Sequence, residues 1–587
     1  QDPDGLLVRR MNEAVDGDYQ KYSVEPGAYT RKHYFGKYPQ LLKLVEHLTD
    51  DQIRGLRRGG HDQRKVYSAY RAAVDHRGAP TAILAKTVKG WALGEGAEGR
   101  NAAHQAKKLN FEQMKKFRDE LHLPIPDENL EDAPFYLPPK GSPIFDYIRD
   151  RRAALGGECP KRVVSVPAEE IPPLTNFGDL LVGSGEGEAS TTRAFAKILA
   201  DLLKDEKFGK RVVPIIPDEA RTFGLDALFK RFGIYSSVGQ VYEPVDSTML
   251  ITYREAKDGQ VLEEGICEAG AMATFMAAGT SYATHGVTMI PLYIFYSMFG
   301  YQRTGDQVWA FGDARGKGFL LGATAGRTTL NGEGLQHEDG HSPLLFSVVP
   351  NCRIYDPAWA FELAVIIRDG LARMYQKGED CFYYITLYNE NYPMPPMPPG
   401  VEEGILKGLY KFRAAAKIPG AKGRVAQILG SGTILREALR AQEMLAQRWK
   451  VAADVWSATS YTMLRRDALA AERWNRLHPS EKPRAAYVAE QLGATEGPIV
   501  AVSDYMKAVP DQVARWIPGR FLPLGTDGYG MSDSRPALRR HFEVDAEHVV
   551  VAVLHELSRL GKVPATEVAA AIKEYGLNPD KSDPGQA

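Results

Sequence analysis

The densest run of chemistry-bearing side chains is His337-Glu338-Asp339-Gly340-His341. Its formal pattern, H-E-x-x-H, puts two imidazoles one helical turn apart for zinc with a Glu as base, and Glu362 stands downstream as a candidate third ligand. That chemistry needs a helix. Gly340 inside the motif, Pro343 after it and Asn331-Gly332-Glu333-Gly334 before it all oppose one. The favoured reading is a loop at a strand end, where two histidines among Glu333, Glu338 and Asp339 form an acid–base constellation near neutrality. The plain alternative is a pair of hydrogen-bonded structural histidines. Against it, the run Arg327 to Gln336 is too polar and Gly-rich to be a packing element.

Glu268 opens a stretch of small residues, Ala269 to Ala278, which reads as a helix. A carboxylate there either interacts with the helix dipole or, with small neighbours leaving room, hydrogen-bonds a ligand heterocycle. Tyr293-Ile294-Phe295-Tyr296-Ser297-Met298-Phe299 carries aromatic residues on both faces. Most of these belong to a core, with one or two at the strand end available to stack on a planar cofactor. Asp218-Glu219-Ala220-Arg221 reads equally as a salt-bridged surface turn and as part of a site.

The elements that must position these residues follow from periodicity. Phe195, Ile198, Leu199, Leu202 and Leu203 mark one face of a helix starting near Ser190, and Val212 to Ile216 follows as a strand ending at Asp218-Glu219. The apolar run Val287 to Met298, which contains Pro291, reads as a buried strand, far short of the ~20 residues of a membrane helix. Strand, helix and strand recur to about residue 390 and predict a parallel α/β domain, whose strand C-terminal ends are where such folds place chemistry. Beyond the proline-rich break Tyr392 to Pro399, strands at Val425–Leu429 and Val451–Trp456 flank a helix bearing Leu435, Ala438, Leu439 and Ala446. A strand at Val549–Val553 and a last helix with Val568, Ile572 and Tyr575 are expected to complete a third α/β domain. Residues 1 to about 120 read as alternating strand and helix, with Asp62 capping a helix and Pro80 to Ala85 as a buried strand. The Gly-rich segment Gly94 to His104 reads as a surface loop of the kind that closes over sites. The resulting division is 1–120, a linker at 121–190, 191–392 and 393–587.

Composition bounds the function. The 587 residues, 44% apolar and 25% charged, suffice for three or four domains. With Lys plus Arg 73 against Asp plus Glu 74, the formal charge of −1 offers no field for nucleic acid or an anionic membrane. Cys159, Cys267, Cys352 and Cys381 lie far apart with no CxxC pair, so neither a disulfide scaffold nor a cysteine-built zinc site is indicated, and a reducing, cytoplasmic setting fits best. Gln1 opens the chain without a signal sequence, and the chain reads as a piece of something longer or a processed product.

Taken in order, DGDYQ (16–20), FGKYP (35–39), RGGHD (58–62), EGRNAAHQ (98–105), PDEARTFG (217–224), YIFYSMFGYQR (293–303), RTTLNGEGLQHEDGHS (327–342), LGTDGYGMSDSR (524–535) and RRHFEVDA (539–546) resemble the bacterial homodimeric pyruvate dehydrogenases. These are the thiamine diphosphate-dependent first components of the pyruvate dehydrogenase complex, and the resemblance covers essentially the whole chain.

The resemblance implies a transketolase-like α/β fold of parallel sheets flanked by helices. Its parts would be the end of a diphosphate-binding domain, a pyrimidine-binding domain and a C-terminal domain. It implies that Glu268 pairs with the aminopyrimidine ring, Phe299 stacks on it, Tyr296 lies close to the reacting centre and His337 polarises the substrate carbonyl. By the same resemblance His104 closes over the site and aids transfer to a lipoyl arm, and Lys89 lies near the cofactor. Asp218, Glu219, Glu98 and Arg100 line the entrance. The implied partners are pyruvate, a second copy of the chain, and dihydrolipoyl acetyltransferase with its lipoyl domain. The family's GDG segment and following Asn, which supply amides and Mg2+ ligands, do not occur here. They are expected in a missing N-terminal region, along with the phosphate contacts. A catalytically silent fragment with an assembly role, a zinc peptidase on His337, Glu338 and His341, and a transketolase or other 2-oxo acid dehydrogenase are the competing expectations.

Overall fold

The computed structural model describes every residue except 1, 57–58, 95, 106, 158–166, 218–219, 246–252, 332, 420, 422 and 587. It forms two compact units, Gln1–Cys159 and Pro160–Ala587.

In the second unit, short apolar runs become parallel strands buried on both faces, as continuous Val/Ile/Leu stretches require. The strands in chain order are β1 (Val212–Ile216), β2 (Ile234–Tyr235), β3 (Glu255–Ala256), β4 (Leu262–Glu263), β5 (Ile290–Tyr296), β6 (Phe319–Ala323), β7 (Cys352–Tyr355) and β8 (Phe382–Thr386). Then follow β9 (Tyr410–Arg413), β10 (Val425–Gly430), β11 (Ala452–Ser457), β12 (Ile499–Val502) and β13 (Phe521–Leu524). Six form one sheet in the order β4-β1-β5-β6-β8-β7, with every pairing parallel. Five form a second sheet, β13-β12-β10-β11-β9, parallel except for the antiparallel edge strand β9. On that edge Lys411 Nζ reaches Asp454 at 2.6 Å and Arg413 Nη2 the Leu439 carbonyl at 2.7 Å. β2 and β3 make a small separate pair.

The helix Thr191–Lys204 forms as its periodicity predicts: Ser190 Oγ accepts the Arg193 N–H at 3.1 Å, and Phe195, Ile198, Leu199, Leu202 and Leu203 are buried. The expected strand at Val549–Val553 is a helix, Ala546–Arg559. The β-branched run lies inside a longer 3.6-residue repeat, Ala546, Val549, Val550, Val553, Leu554 and Leu557, all buried. Asp545 caps it by accepting the His548 N–H at 3.0 Å.

Glu362, the candidate third zinc ligand, is fully buried at the start of helix Ala360–Leu371. It accepts from Ala358 N (2.6 Å), Trp359 N (3.1 Å), Tyr410 Oη (2.7 Å) and Ser457 Oγ (2.6 Å), so it ties this helix to β9 and β11 of the second sheet. Its oxygens are occupied by structural donors, which removes it as a metal ligand.

The first unit is helical among its described residues and holds a small core of Tyr34, Phe35, Leu41, Val45 and Ile53. Asp62 does cap its helix, Gln63–Asp75, by accepting from Arg64 N and Lys65 N. The expected strand at Pro80–Ala85 is irregular and exposed, with Leu84 at 97%. A strand needs a hydrogen-bonded neighbour, and the described residues of this unit contain none. Within 121–190 lie the helix Pro143–Ala154, capped by Ser142, and the short helical segment Leu174–Leu181.

Candidate active site

The parallel strands of the first sheet deliver their C-terminal ends to one edge, and the predicted residues of the second unit gather there. Tyr296 is the last residue of β5, and Phe299 lies in the first turn of the helix Ser297–Asp313 that follows. Glu268 is the first residue of helix Glu268–Gly279. His337 ends the short turn Leu335–His337 in the loop after β6. The His337 ring lies 5.2 Å from that of Tyr296 and 5.1 Å from that of Phe299, centroid to centroid. Tyr296 and Phe299 are 6.3 Å apart, and Phe223 backs Tyr296 at 5.4 Å.

Glu268 enters this cluster through a residue that the sequence reading quoted but did not single out. Arg303 donates to Glu268 Oε1 at 2.5 Å, and its guanidinium lies 4.1 Å from the Phe299 ring centroid. Arg303 sits four residues after Phe299 on the same helix, and that spacing was the available signal. His337 Nδ1 is buried, lies 3.5 Å from Glu333 Oε2 and makes no hydrogen bond among the described residues.

The H-E-x-x-H residues are on a loop, and each has a separate task. His341 Nε2 meets Gln302 Nε2 at 2.6 Å, while Asp339 Oδ1 accepts from His341 N (3.0 Å) and Ser342 N (2.9 Å), closing the turn into the next helix. Glu338 accepts from Met531 N at 2.8 Å. Burial pushes its carboxyl up to about 7.

A testable consequence follows from the sign of this shift. Between the ordinary value of 4.5 and about 7 the folded state holds a proton that the unfolded chain has released. Stability from Glu338 is therefore fully present below 4.5 and lost as pH rises to 7. Glu338→Gln keeps an acceptor for Met531 N and cannot ionise. Its melting temperature relative to the parent is expected to climb across that interval, and a difference that stays flat with pH contradicts the assignment.

Four of the predicted residues, Lys89, Glu98, Arg100 and His104, lie in the first unit. Lys89 Nζ lies 2.9 Å from His104 Nδ1. An ammonium can only donate, so Nδ1 accepts and Nε2 carries the proton. Both residues line a cavity of about 570 Å³ with Arg100, Asn101 and Lys86. Glu98 lines an adjacent cavity of about 410 Å³, in which His61 and Trp91 stack at 4.8 Å. Asp218 and Glu219 lie outside the described residues.

Two parallel-sheet domains with site residues at strand C-terminal ends define a transketolase-like α/β protein. The fold matches transketolase from Campylobacter jejuni with a TM-score of 0.55 at 15% identity, over 84% of this chain and 66% of that one. A Pichia stipitis transketolase matches at 0.56 and 14%, over 85% and 66%. Residues 170–395 fit the family model of the pyruvate dehydrogenase E1 component middle domain, and 408–545 that of the transketolase-like C-terminal domain. Pyruvate dehydrogenase E1 components from Pseudomonas aeruginosa and Escherichia coli K12 are 54% and 50% identical over 100% of this chain. The chain belongs to the pyruvate dehydrogenase E1 component family. It spans 66% and 65% of the length of those two relatives.

Proposed function

We propose that this chain carries the pyrimidine-binding and C-terminal parts of an enzyme that oxidatively decarboxylates pyruvate with thiamine diphosphate. The acetyl product would pass to the lipoyl group of dihydrolipoyl acetyltransferase. The observation that carries the reading is the convergence of Glu268, Tyr296, Phe299 and His337 at one sheet edge. The proposed division is the end of a diphosphate-binding domain (1–120), a linker (121–190), a pyrimidine-binding domain (191–392) and a C-terminal domain (393–587). The proposed assembly is a cytoplasmic homodimer. No helix among the described residues is long and apolar enough to cross a membrane.

The residues suit the cofactor. The Glu268 carboxylate has one oxygen held by Arg303, small neighbours in Ala269 and Gly270, and the Phe299 ring beside it through Arg303. His337 offers a buried nitrogen with no hydrogen bond among the described residues. When bound, thiamine diphosphate supplies the carbon nucleophile and the electron sink for loss of carbon dioxide. Glu268 holds a proton against a ring nitrogen, with Arg303 fixing the orientation of its carboxylate. Phe299 and Tyr296 present ring faces to a planar ligand and exclude water, and His337 donates a hydrogen bond to the substrate oxygen. Among the described residues no group of three His, Cys, Asp or Glu that could hold a metal ion is found.

The test is a thermal shift of the 587-residue chain with thiamine diphosphate and Mg2+, alongside pyruvate-dependent reduction of an artificial oxidant. Stabilisation with turnover supports the reading, and neither effect leaves a silent assembly piece. For His104, replacement by Ala is expected to lower transfer to lipoyl by about 10²-fold while oxidant-coupled decarboxylation falls much less. Equal losses in both assays contradict a role in transfer.

A further inference from the structure

The loop that carries His337 leaves β6 after Ala323 and re-enters regular structure at the helix Ser342–Ser347. A polar, Gly-rich segment has little apolar surface with which to fix its own shape, so its shape comes from what holds it. What holds it is the second sheet. Asp504, which follows β12, is fully buried, as are Thr328 and Thr329 at the start of the loop. Asp504 Oδ1 accepts the Thr328 N–H at 2.8 Å and the Thr328 hydroxyl at 2.6 Å, and Oδ2 accepts the Thr329 hydroxyl at 2.5 Å. The Thr329 hydroxyl also meets that of Thr433, beyond β10, at 2.6 Å. The approach is close, because a side chain at Gly326 would run into the Asp504 carboxylate.

The far end of the loop is fixed from the same side. Met506 N donates to the Gly340 carbonyl at 2.8 Å. Arg327 Nη1 donates to the carbonyls of Thr526 (2.6 Å) and Gly528, and a side chain at Gly340 would run into its guanidinium. Both feet of the loop are therefore tied to the segment after β12, and His337 stands between them with its ring against Tyr296 and Phe299. His337 Nδ1 makes no hydrogen bond among the described residues, so the placing of the ring depends on the loop that carries it.

We infer that Asp504 is the positioning residue for His337: from the second sheet it fixes the foot of the loop after β6, and through that loop the place of the imidazole. The assignment of its effect on turnover rests on His337 acting at the substrate oxygen, as proposed above. Asp504 touches no reacting atom. It is singled out because one buried carboxylate takes three donors from two consecutive residues, and buried donors are costly to leave unpaired.

The test labels histidine with 13C in the 587-residue chain and follows the imidazole Cε1–H resonance of His337, identified among the 13 histidines by its loss in His337→Ala. The ring currents of Tyr296 and Phe299 displace this signal from the position of a free imidazole, so it reports where the ring lies. In Asp504→Ala it is expected to move toward the free position, and in Asp504→Asn to stay near the parent. The amide oxygen can take the place of Oδ1, and its NH2 can donate to the Thr329 hydroxyl, which then donates to Thr433. With thiamine diphosphate, Mg2+ and pyruvate, D504A is expected to lose about 10²-fold in turnover, as a misplaced group does, with the loss mainly in kcat. D504N should recover most of it, and D504A combined with His337→Ala should fall no further than His337→Ala alone. Should D504A not fold, Thr329→Val removes one donor and keeps the shape, and the same resonance should move in the same direction by less. A lowered melting temperature is common to a positioning and a merely structural role and decides nothing between them. A parent-like His337 resonance in D504A and T329V, or turnover losses that add in the double variant, overturns the assignment. No turnover in the parent chain defeats the proposed function alone, while the resonance still decides whether Asp504 places the ring.

Discussion

Glu268→Gln is expected to lower pyruvate-dependent reduction of an artificial oxidant by at least about 10²-fold, the range over which a positioned acid–base group acts. Three features carry this magnitude. The carboxylate is the first residue of a helix whose next three residues are Ala269, Gly270 and Ala271, so a ligand ring can approach it closely. Its Oε1 is fixed by Arg303, so the other oxygen has a defined direction. Phe299, under the same guanidinium, fixes the plane in which a ring would lie. An amide keeps the shape and the link to Arg303 but cannot hold or release a proton at physiological pH. The variant should therefore retain the parent melting temperature and still be stabilised by thiamine diphosphate while losing turnover. Parent-like turnover rejects Glu268 as the proton-holding group. Loss of folding along with activity would instead make it a structural carboxylate.

The largest stability effect is expected at Glu362. Truncation to Ala leaves the N–H groups of Ala358 and Trp359 and the hydroxyls of Tyr410 and Ser457 facing a fully buried void. Each buried donor left without an acceptor costs about 1–3 kcal/mol, so a loss of several kcal/mol is expected. Glu362→Gln retains the volume but turns an NH2 toward groups that are themselves donors, so a smaller loss is expected. Denaturant midpoints of the two variants decide the matter, and an Ala variant within about 1 kcal/mol of the parent refutes this account. Because Glu362 links a helix on the first sheet to two strands of the second, both sheets should melt in one transition in the parent. In the Ala variant the transition should broaden or split.

The same residue shows where sequence reasoning reaches its limit. Glu362 stands at a plausible distance from H-E-x-x-H to be a metal ligand, and no local pattern says that Tyr410 and Ser457 will fold over it from the next domain. Strands β1, β5, β10 and β11 and the helix Thr191–Lys204 were legible because each buries a face or a run whose period is visible within a few residues. Val549–Val553 misled because four β-branched residues in a run of five outweighed a repeat that becomes visible only over twelve, from Ala546 to Leu557. Pro80–Ala85 misled for a different reason, since an apolar run specifies a strand only where a neighbour exists to pair with it.

At the site, Glu268, Tyr296, Phe299 and His337 were named through their motifs, and three-dimensional structure added how they meet. The Arg303 bridge was recoverable from its i+4 spacing after Phe299. The burial of Glu338 was not, because its partner Met531 lies nearly two hundred residues away.

The antiparallel strand β9 has a consequence for behaviour in solution. An all-parallel sheet ending on β11 would leave a row of free amides and carbonyls open to templating by another chain. β9 caps that row. Its own outer side is a poor template, being four residues long, offset by an irregularity opposite Val455 and Trp456, and carrying Lys411 and Arg413 held in ion pairs and hydrogen bonds. A concentrated solution of this protein should therefore resist strand-to-strand polymerisation from this side even when the two sheets are partly loosened.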